Sequence, residues 1–228
     1  EIFDDMDVDL SDPKSGTYLD LLAQVEKNRQ TWLYSQMYTT KNEFQITQWK
    51  LQTISAIGDY YYDNNVIIMP STIFQNEVYN EEKPSYFNYG SMGTLMGHHF
   101  LQVLGESASL FDHEGNIIES FPNFPTISVF QKTDCLAHQL NRNTAKYMLD
   151  LILPQTLGLQ LSYLAFQKSV SNKTRNSEEN YNPEQLFWIS AASYFCQPSN
   201  RGSEENDLFS LLVSVPMLNN PYFSKDFN

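Results

Sequence analysis

Basic residues are scarce in this chain: 14 Lys and Arg stand against 27 Asp and Glu, for a formal net charge of -13. Nucleic acid and anionic membrane faces would repel such a surface, so neither is expected as a partner. Long hydrophobic runs are missing too, and no apolar stretch approaches the roughly 20 residues that span a bilayer. Cysteine is nearly absent. Cys135 and Cys196 are too few for a disulfide framework or a cysteine-based metal site. No Gly-x-Ser-x-Gly elbow occurs, and Glu106, Glu114 and Glu119 form no recognisable acid–base pair, which leaves serine-hydrolase and glycosidase chemistry without support. The first residues, Glu1-Ile2-Phe3-Asp4-Asp5, hold neither an initiator Met nor a signal peptide, so a mature or proteolytic fragment is expected.

Apolar material is plentiful, at 41% hydrophobic and 14% aromatic residues, a globular composition. A length of 228 residues is enough for one domain with a sizeable core. Leu19, Leu22, Val25, Trp32 and Leu33 recur at helical spacing over 16–38, after the cap candidates Ser11 and Asp12 and the first-turn candidate Pro13. Tyr60-Tyr61-Tyr62 and Val66-Ile67-Ile68-Met69 flank Asp63-Asn64-Asn65, which predicts a short hairpin ended by Pro70. An apolar helix is predicted over 88–104. Its glycines Gly90, Gly93 and Gly97 each cost about 1 kcal/mol relative to Ala, so close packing of another backbone is expected there. Asp112-His113-Glu114-Gly115-Asn116 reads as a turn, and Pro122 and Pro125 as punctuation of an irregular stretch. Further helices are predicted at about 141–153, 156–169 and from Pro183 to Phe195, with a loop-rich tail over 197–228 around the apolar run Phe209–Val215. Asn172-Lys173-Thr174 is a glycosylation sequon in a polar stretch.

The chemistry centres on Gly97-His98-His99-Phe100-Leu101-Gln102. A His-Glu-x-x-His helix puts two imidazoles four residues apart on one face, where both reach one zinc ion, and its Glu polarises the metal-bound water. Here His98 stands at the first ligand position, His99 at the Glu position and Gln102 at the second ligand position. Adjacent residues diverge by about 100° on a helix, so His98 and His99 do not converge on one ion. A rebuilt site would have to recruit His113 or His138. The bland reading is a satisfied, partly buried His98, with His99 facing the cleft or solvent and Gln102 hydrogen-bonded to its neighbours.

Ile67-Ile68-Met69-Pro70-Ser71-Thr72-Ile73-Phe74-Gln75, Asn88-Tyr89-Gly90 with Gly93 and Gly97-His98, Asp112–Asn116, Gly158–Phe166, Gln185-Leu186-Phe187-Trp188 with Phe195-Cys196, and Asn219–Phe227 occur in this order. Together they resemble the C-terminal catalytic lobe of the neprilysin and endothelin-converting-enzyme family of zinc endopeptidases. The resemblance spans nearly the whole chain. It implies a mainly α fold with a small β portion, a thermolysin-like (gluzincin) lobe, here as a fragment over 1–228 without the family's helical N-terminal lobe. That lobe, or another chain, would cover the cleft.

Where the chain departs from the family, it loses catalytic groups. The third ligand, a Glu, falls on Leu151, and the Asp that orients a ligand His falls on Gln155. Pro154 would interrupt the helix between them, and Asp150, the nearby carboxylate, is one residue out of register. No His follows His138, Arg201 is the last Arg, and the segment Asn206–Leu212 is apolar where the family carries oxyanion donors. Gly58-Asp59-Tyr60-Tyr61 is similar to the family's substrate-binding Asn-Ala-Tyr-Tyr, without the Asn. The resemblance also pairs Cys135 and Cys196 with cysteines outside this chain, not with each other. The reading that follows is a catalytically inactive, extracellular protein, secreted or the ectodomain of a type II membrane protein. It would bind no zinc and would dock a peptide or protein in a cleft near Gly58, Asp59, Phe74, Phe100 and Leu101. The alternatives are a structural subunit of a homo- or hetero-oligomeric complex and, third, an active metalloendopeptidase with a rebuilt zinc site.

Overall fold

The computed structural model describes residues 17–36, 58–63, 65–74, 78–105, 107–118, 126–140, 146–170, 180–196 and 204–228. The chain divides into two compact units, Glu1–Gln52 and Thr53–Asn228. In the first, helix α1 (Tyr18–Gln36) carries the helical spacing read from the sequence. Asp20 caps its start, accepting from the Thr17 amide at 2.7 Å and the Thr17 hydroxyl at 2.8 Å. Tyr18, Leu19 and Leu22 on this helix are exposed.

The second unit begins with the expected hairpin. Strands β1 (Asp59–Tyr61) and β2 (Val66–Ile68) pair antiparallel with Tyr60 opposite Ile67. Asn65 takes the left-handed conformation at φ 53°, which Asn tolerates, and its side chain accepts from the Tyr60 hydroxyl at 3.1 Å. Helix α2 (Ser85–Asn88) then runs through one π-helical turn (Tyr89–Gly93) into α3 (Thr94–Leu101). A π turn frees backbone carbonyls from the α-helical ladder. The Ser162 hydroxyl donates to the Tyr89 carbonyl at 2.6 Å and satisfies one of them.

Helix α5 (Lys146–Val170) is continuous, where Pro154 led the sequence to predict two segments. A buried interior proline forfeits one backbone hydrogen bond. Packing compensates: Pro154 is held out of solvent with Ile152 and Leu153. Helix α4 (Thr126–Gln139) has no counterpart in the sequence reading, which takes the prolines before it as loop punctuation. The tail also differs from its loop-rich reading. It forms α7 (Glu204–Leu218), with Pro216 inside it, and α8 (Pro221–Phe227). Helix α6 (Pro183–Ser193) starts where expected, on a capping box in which Asn182 accepts from the Gln185 amide at 2.8 Å and Gln185 accepts from the Asn182 amide at 3.0 Å.

Among the described residues, three buried clusters hold the unit together. Tyr163, Phe166, Phe187 and Trp188 form an aromatic core, with Tyr163 stacked on Trp188 at 4.6 Å between ring centres. Leu136, Ile152, Leu153, Leu212 and Val215 join α4, α5 and α7. Ile73, Met92 and Leu95 sit under the segment that follows β2. Each such side chain contributes about 1.5–3 kcal/mol on burial. The close approach of α3 to α5 at Gly97 and Gly158 positions the site.

Candidate functional site

Backbone contact between α3 and α5 sets the geometry. A methyl group on Gly97 would come within 2.5 Å of the Gly158 carbonyl oxygen. Gly90 makes a similar approach to α6, where a methyl would meet the Phe187 carbonyl oxygen at 2.6 Å. The close packing expected from these glycines is present.

His98 leaves α3 toward α5. Its imidazole bonds the side chain of Gln155, the residue aligned with the family's orienting Asp, while Nδ1 is buried without a partner. Burial, then the neighbouring His99, push its pKa down to about 3, and the Gln155 bond opposes them only in part. His98 is therefore half-satisfied, against the fully satisfied histidine of the bland reading. His99 is turned inward, 3% exposed, with its ring 5.2 Å from that of His98 and nearly perpendicular to it. Its Nδ1 lies 2.9 Å from Gln102 Oε1. With Gln102 accepting, the neutral imidazole carries its proton on Nδ1 and leaves Nε2 as a buried acceptor with no partner. Burial lowers the His99 pKa as well, while Gln102 and Asp59 act in the opposite direction. Across this ring lies β1. A methyl on Gly58 would stand 3.0 Å from His99 Nε2 and 2.6 Å from Met69 Sδ, so the strand reaches the histidine only because residue 58 has no side chain.

Beside this cluster is a cavity of about 310 Å³. Asp59, Tyr60 and Tyr62 line it from the hairpin, Gln102, Gly105, Ser107 and Ala108 from the end of α3 onward, and Asp150 and Leu151 from α5. The structure thus gathers Gly58, Asp59, His98, His99, Gln102, Leu151 and Gln155 in one region. Phe74, Phe100 and Leu101 are not among the cavity's lining residues. Phe74 is exposed and edge-on to Tyr79 at 6.4 Å, and Phe100 is exposed. Sequence reading missed Asp150, Tyr62 and Ser107 as cavity residues. Asp150 was noticed only as a carboxylate out of register, and nothing local marks the other two.

The donor set at the ligand positions does not fit a zinc ion. Leu151 offers no donor atom, the Gln102 oxygen is bonded to His99, and one His98 nitrogen is bonded to Gln155. Among the described residues no three His, Cys, Asp or Glu side chains are grouped to hold a metal. His113 and His138 are exposed and lie beside local carboxylates, Glu114 at 3.8 Å and Asp134 at 3.6 Å. In the segment aligned with the oxyanion donors, Leu208, Phe209, Leu211 and Leu212 pack in the aliphatic core. Cys135 and Cys196 are exposed and not joined to each other. Glu106, Glu119, Asn172 and Arg201 lie outside the described residues. No helix among the described residues is long and apolar enough to cross a membrane.

Comparison with known proteins places this geometry. The chain is 28% identical over 167 residues to an endothelin-converting enzyme homolog of Locusta migratoria, covering 67% of this chain and 22% of the relative. It is 23% identical over 205 residues to neprilysin-2 of Drosophila melanogaster, covering 80% of this chain and 26% of that protein. The chain thus spans about a quarter of the length of these relatives. Among solved structures, the Haemonchus galactose-containing glycoprotein complex superposes with a TM-score of 0.79 at 20% identity, over 95% of this chain and 38% of the other. The zinc metalloprotease Zmp1 of Mycobacterium tuberculosis gives 0.70 at 14% identity, over 92% of this chain and 33% of the other. The fold is accordingly the mainly α, thermolysin-like lobe with a small antiparallel sheet. The family model described as peptidase family M13 matches residues 59–228, and the chain belongs to that family.

Proposed function

We propose that this chain belongs to a family member that has given up peptide hydrolysis and keeps the cleft as a docking site for a peptide or protein. The observation that carries the reading is the pairing of Gln102 Oε1 with His99 Nδ1 at 2.9 Å, beside a Leu at position 151. A complete protein zinc site supplies about 10 kcal/mol or more of binding free energy. One imidazole nitrogen and an amide fall far short of that, and without the metal no water is activated by this route. Docking does not share this dependence, because groups that bind substrate and groups that stabilise the transition state are partly separate. The sequon Asn172-Lys173-Thr174 and the family resemblance favour an extracellular setting.

The test is metal content by mass spectrometry on the purified full-length protein, together with peptide cleavage in the presence and absence of a chelator. The expected results are substoichiometric zinc and no chelator-sensitive cleavage, with a peptide bound at micromolar affinity or better by calorimetry. Equimolar zinc with chelator-sensitive cleavage refutes the reading.

A second reading has its own support. The Haemonchus neighbour comes from a glycoprotein complex, and Met96, Phe100, Val103 and Leu161 are exposed apolar groups that an assembly partner would cover. A scaffold role inside a larger assembly predicts a stable heteromeric species by light scattering from native source, and no peptide affinity.

A further inference from the structure

We infer that Met69 is a site of reversible methionine oxidation, and that His99 receives the sulfoxide and so clasps the hairpin to α3. The two side chains meet across Gly58. A methyl on Gly58 would stand 2.6 Å from Met69 Sδ and 3.0 Å from His99 Nε2, so sulfur and ring nitrogen border the same small space. That space exists because residue 58 has no side chain. His99 is 3% exposed, and its Nε2 has no hydrogen-bond partner among the described residues. A thioether is a weak acceptor with no proton to give, so Met69 as it stands does not relieve that nitrogen. A sulfoxide oxygen is a strong acceptor. Met69, directly after β2, is partly exposed and packs on the edge of the Ile73, Met92 and Leu95 cluster, within reach of a small oxidant.

The oxidant is hydrogen peroxide. The Met69 sulfur lone pair attacks one peroxide oxygen, and an S–O bond forms as the O–O bond breaks. The proton on the attacked oxygen passes to the departing one, which leaves as water. Sulfur loses two electrons and the peroxide gains them. No proton enters or leaves the imidazole. Its single N–H moves from Nδ1 to Nε2, where it donates to the sulfoxide oxygen. Gln102 turns its amide so that its NH2 group donates to Nδ1, in place of the Oε1 that lies 2.9 Å from it. Both ring nitrogens and the new oxygen are then paired. A sulfoxide ordinarily loosens apolar packing by adding a polar group. Here the buried imidazole gains its missing partner, which offsets that loss.

The experiment treats the full-length protein with hydrogen peroxide and maps sulfoxides by mass spectrometry. Hydrogen exchange of the hairpin amides and nitrogen NMR of the His99 ring are recorded before and after. Met69 is expected to convert alongside Met96, which is 39% exposed, and ahead of Met92, which is 6% exposed. Hairpin amides then exchange about fivefold more slowly, as one added buried hydrogen bond predicts. The His99 proton moves from Nδ1 to Nε2, and methionine sulfoxide reductase reverses all three changes. Met69→Leu conserves apolar volume and cannot be oxidised, so peroxide should leave its hairpin exchange unchanged. Four results overturn the inference: Met69 staying reduced while Met96 is consumed, exchange unchanged or faster after Met69 oxidises, a proton that stays on Nδ1, or slowing that persists in Met69→Leu.

Discussion

Gly97 and Gly158 hold α3 and α5 in backbone contact, and no other residue fits at either position. A methyl on Gly158 would overlap the Gly97 carbonyl carbon and the His98 amide nitrogen; one on Gly97 would press on the Gly158 carbonyl at 2.5 Å. The obstructing atoms are main chain and cannot rotate aside. Overpacking of this kind costs about 1–3 kcal/mol or more. Gly158→Ala is therefore expected to lower unfolding free energy by at least ~2 kcal/mol in urea melts. Gly105→Ala is the control: its added methyl meets the Gln102 carbonyl oxygen at 3.1 Å and, in ordinary contact, Asp150 Oδ1 at 4.0 Å. A destabilisation below about 0.5 kcal/mol is expected there. Equal losses in the two variants would mean that the interhelical contact is not what the glycine provides.

A pH prediction follows from the buried histidines. His98 is pushed down to about 3 from its ordinary 6.5, chiefly by burial, and His99 is lowered for the same reason. Above pH 6.5 the imidazoles are neutral in folded and unfolded chains alike, and the stability they allow is fully present. Below it, the unfolded chain takes up protons that the folded chain refuses, so stability falls as pH falls toward 3. His98 contributes a slope of up to about 1.4 kcal/mol per pH unit in that window, and His99 acts in the same direction. Urea melts between pH 7 and pH 5, above most carboxylate titration, are expected to show the slope reduced in His98→Gln. An unchanged slope in that variant would place the proton uptake elsewhere.

The C-terminal helix is tied to the aromatic core through one carboxylate. Asp226 Oδ2 accepts from the Tyr163 hydroxyl at 2.5 Å and from Trp188 Nε1 at 2.8 Å, and the Asp226 carbonyl accepts from Gln185 Nε2 at 2.9 Å. Burial, followed by the bond to Asp226, raises the Tyr163 pKa. Asp226→Ala strands two donors in the core, each worth about 1–3 kcal/mol when unsatisfied. The expected loss exceeds ~2 kcal/mol, with a shift in tryptophan emission. Asp226→Asn keeps one acceptor oxygen and should lose less. If Ala and Asn variants melt together, the carboxylate is not the tie.

How much of this was legible beforehand differs by element. The hairpin, the start of α6 and the glycine-bearing helix carry local signals: Asp-Asn-Asn between β-formers, Pro183 at the head of a helix, and glycines where a helix gains nothing from them. Proline misled in both directions. Pro154 sits inside a helix because packing outweighs one lost hydrogen bond, and Pro125, directly ahead of α4 in the sequence, stands where proline commonly introduces a helix. At the site, the resemblance aligns Leu151 with a ligand Glu and Gln155 with an orienting Asp, and the structure places Leu151 on the cavity and Gln155 beside His98. The inward turn of His99 and the arrival of Gly58–Asp59 beside it were not legible, because they depend on how the hairpin packs on α3, a contact between segments some 40 residues apart.

The last prediction rebuilds what the chain lacks. If α3 and α5 retain the family's backbone register, then His99→Glu, Gln102→His and Leu151→Glu together should restore a three-ligand site. His98, position 102 and position 151 would supply the donors, and position 99 the carboxylate that serves as base. Gln102 and Leu151 already line one cavity from the two helices, which puts the new groups within reach of each other. The triple variant is expected to hold about one equivalent of zinc after dialysis, because a full ligand set contributes about 10 kcal/mol or more. The single variants, each short of that set, should hold little. Peptidase activity need not return with the metal, since the segment aligned with the oxyanion donors is packed in the core through Leu208, Phe209, Leu211 and Leu212. Zinc bound without cleavage would separate the two losses. No zinc in the triple variant would mean that the helices have shifted, and that positions 98, 102 and 151 no longer converge.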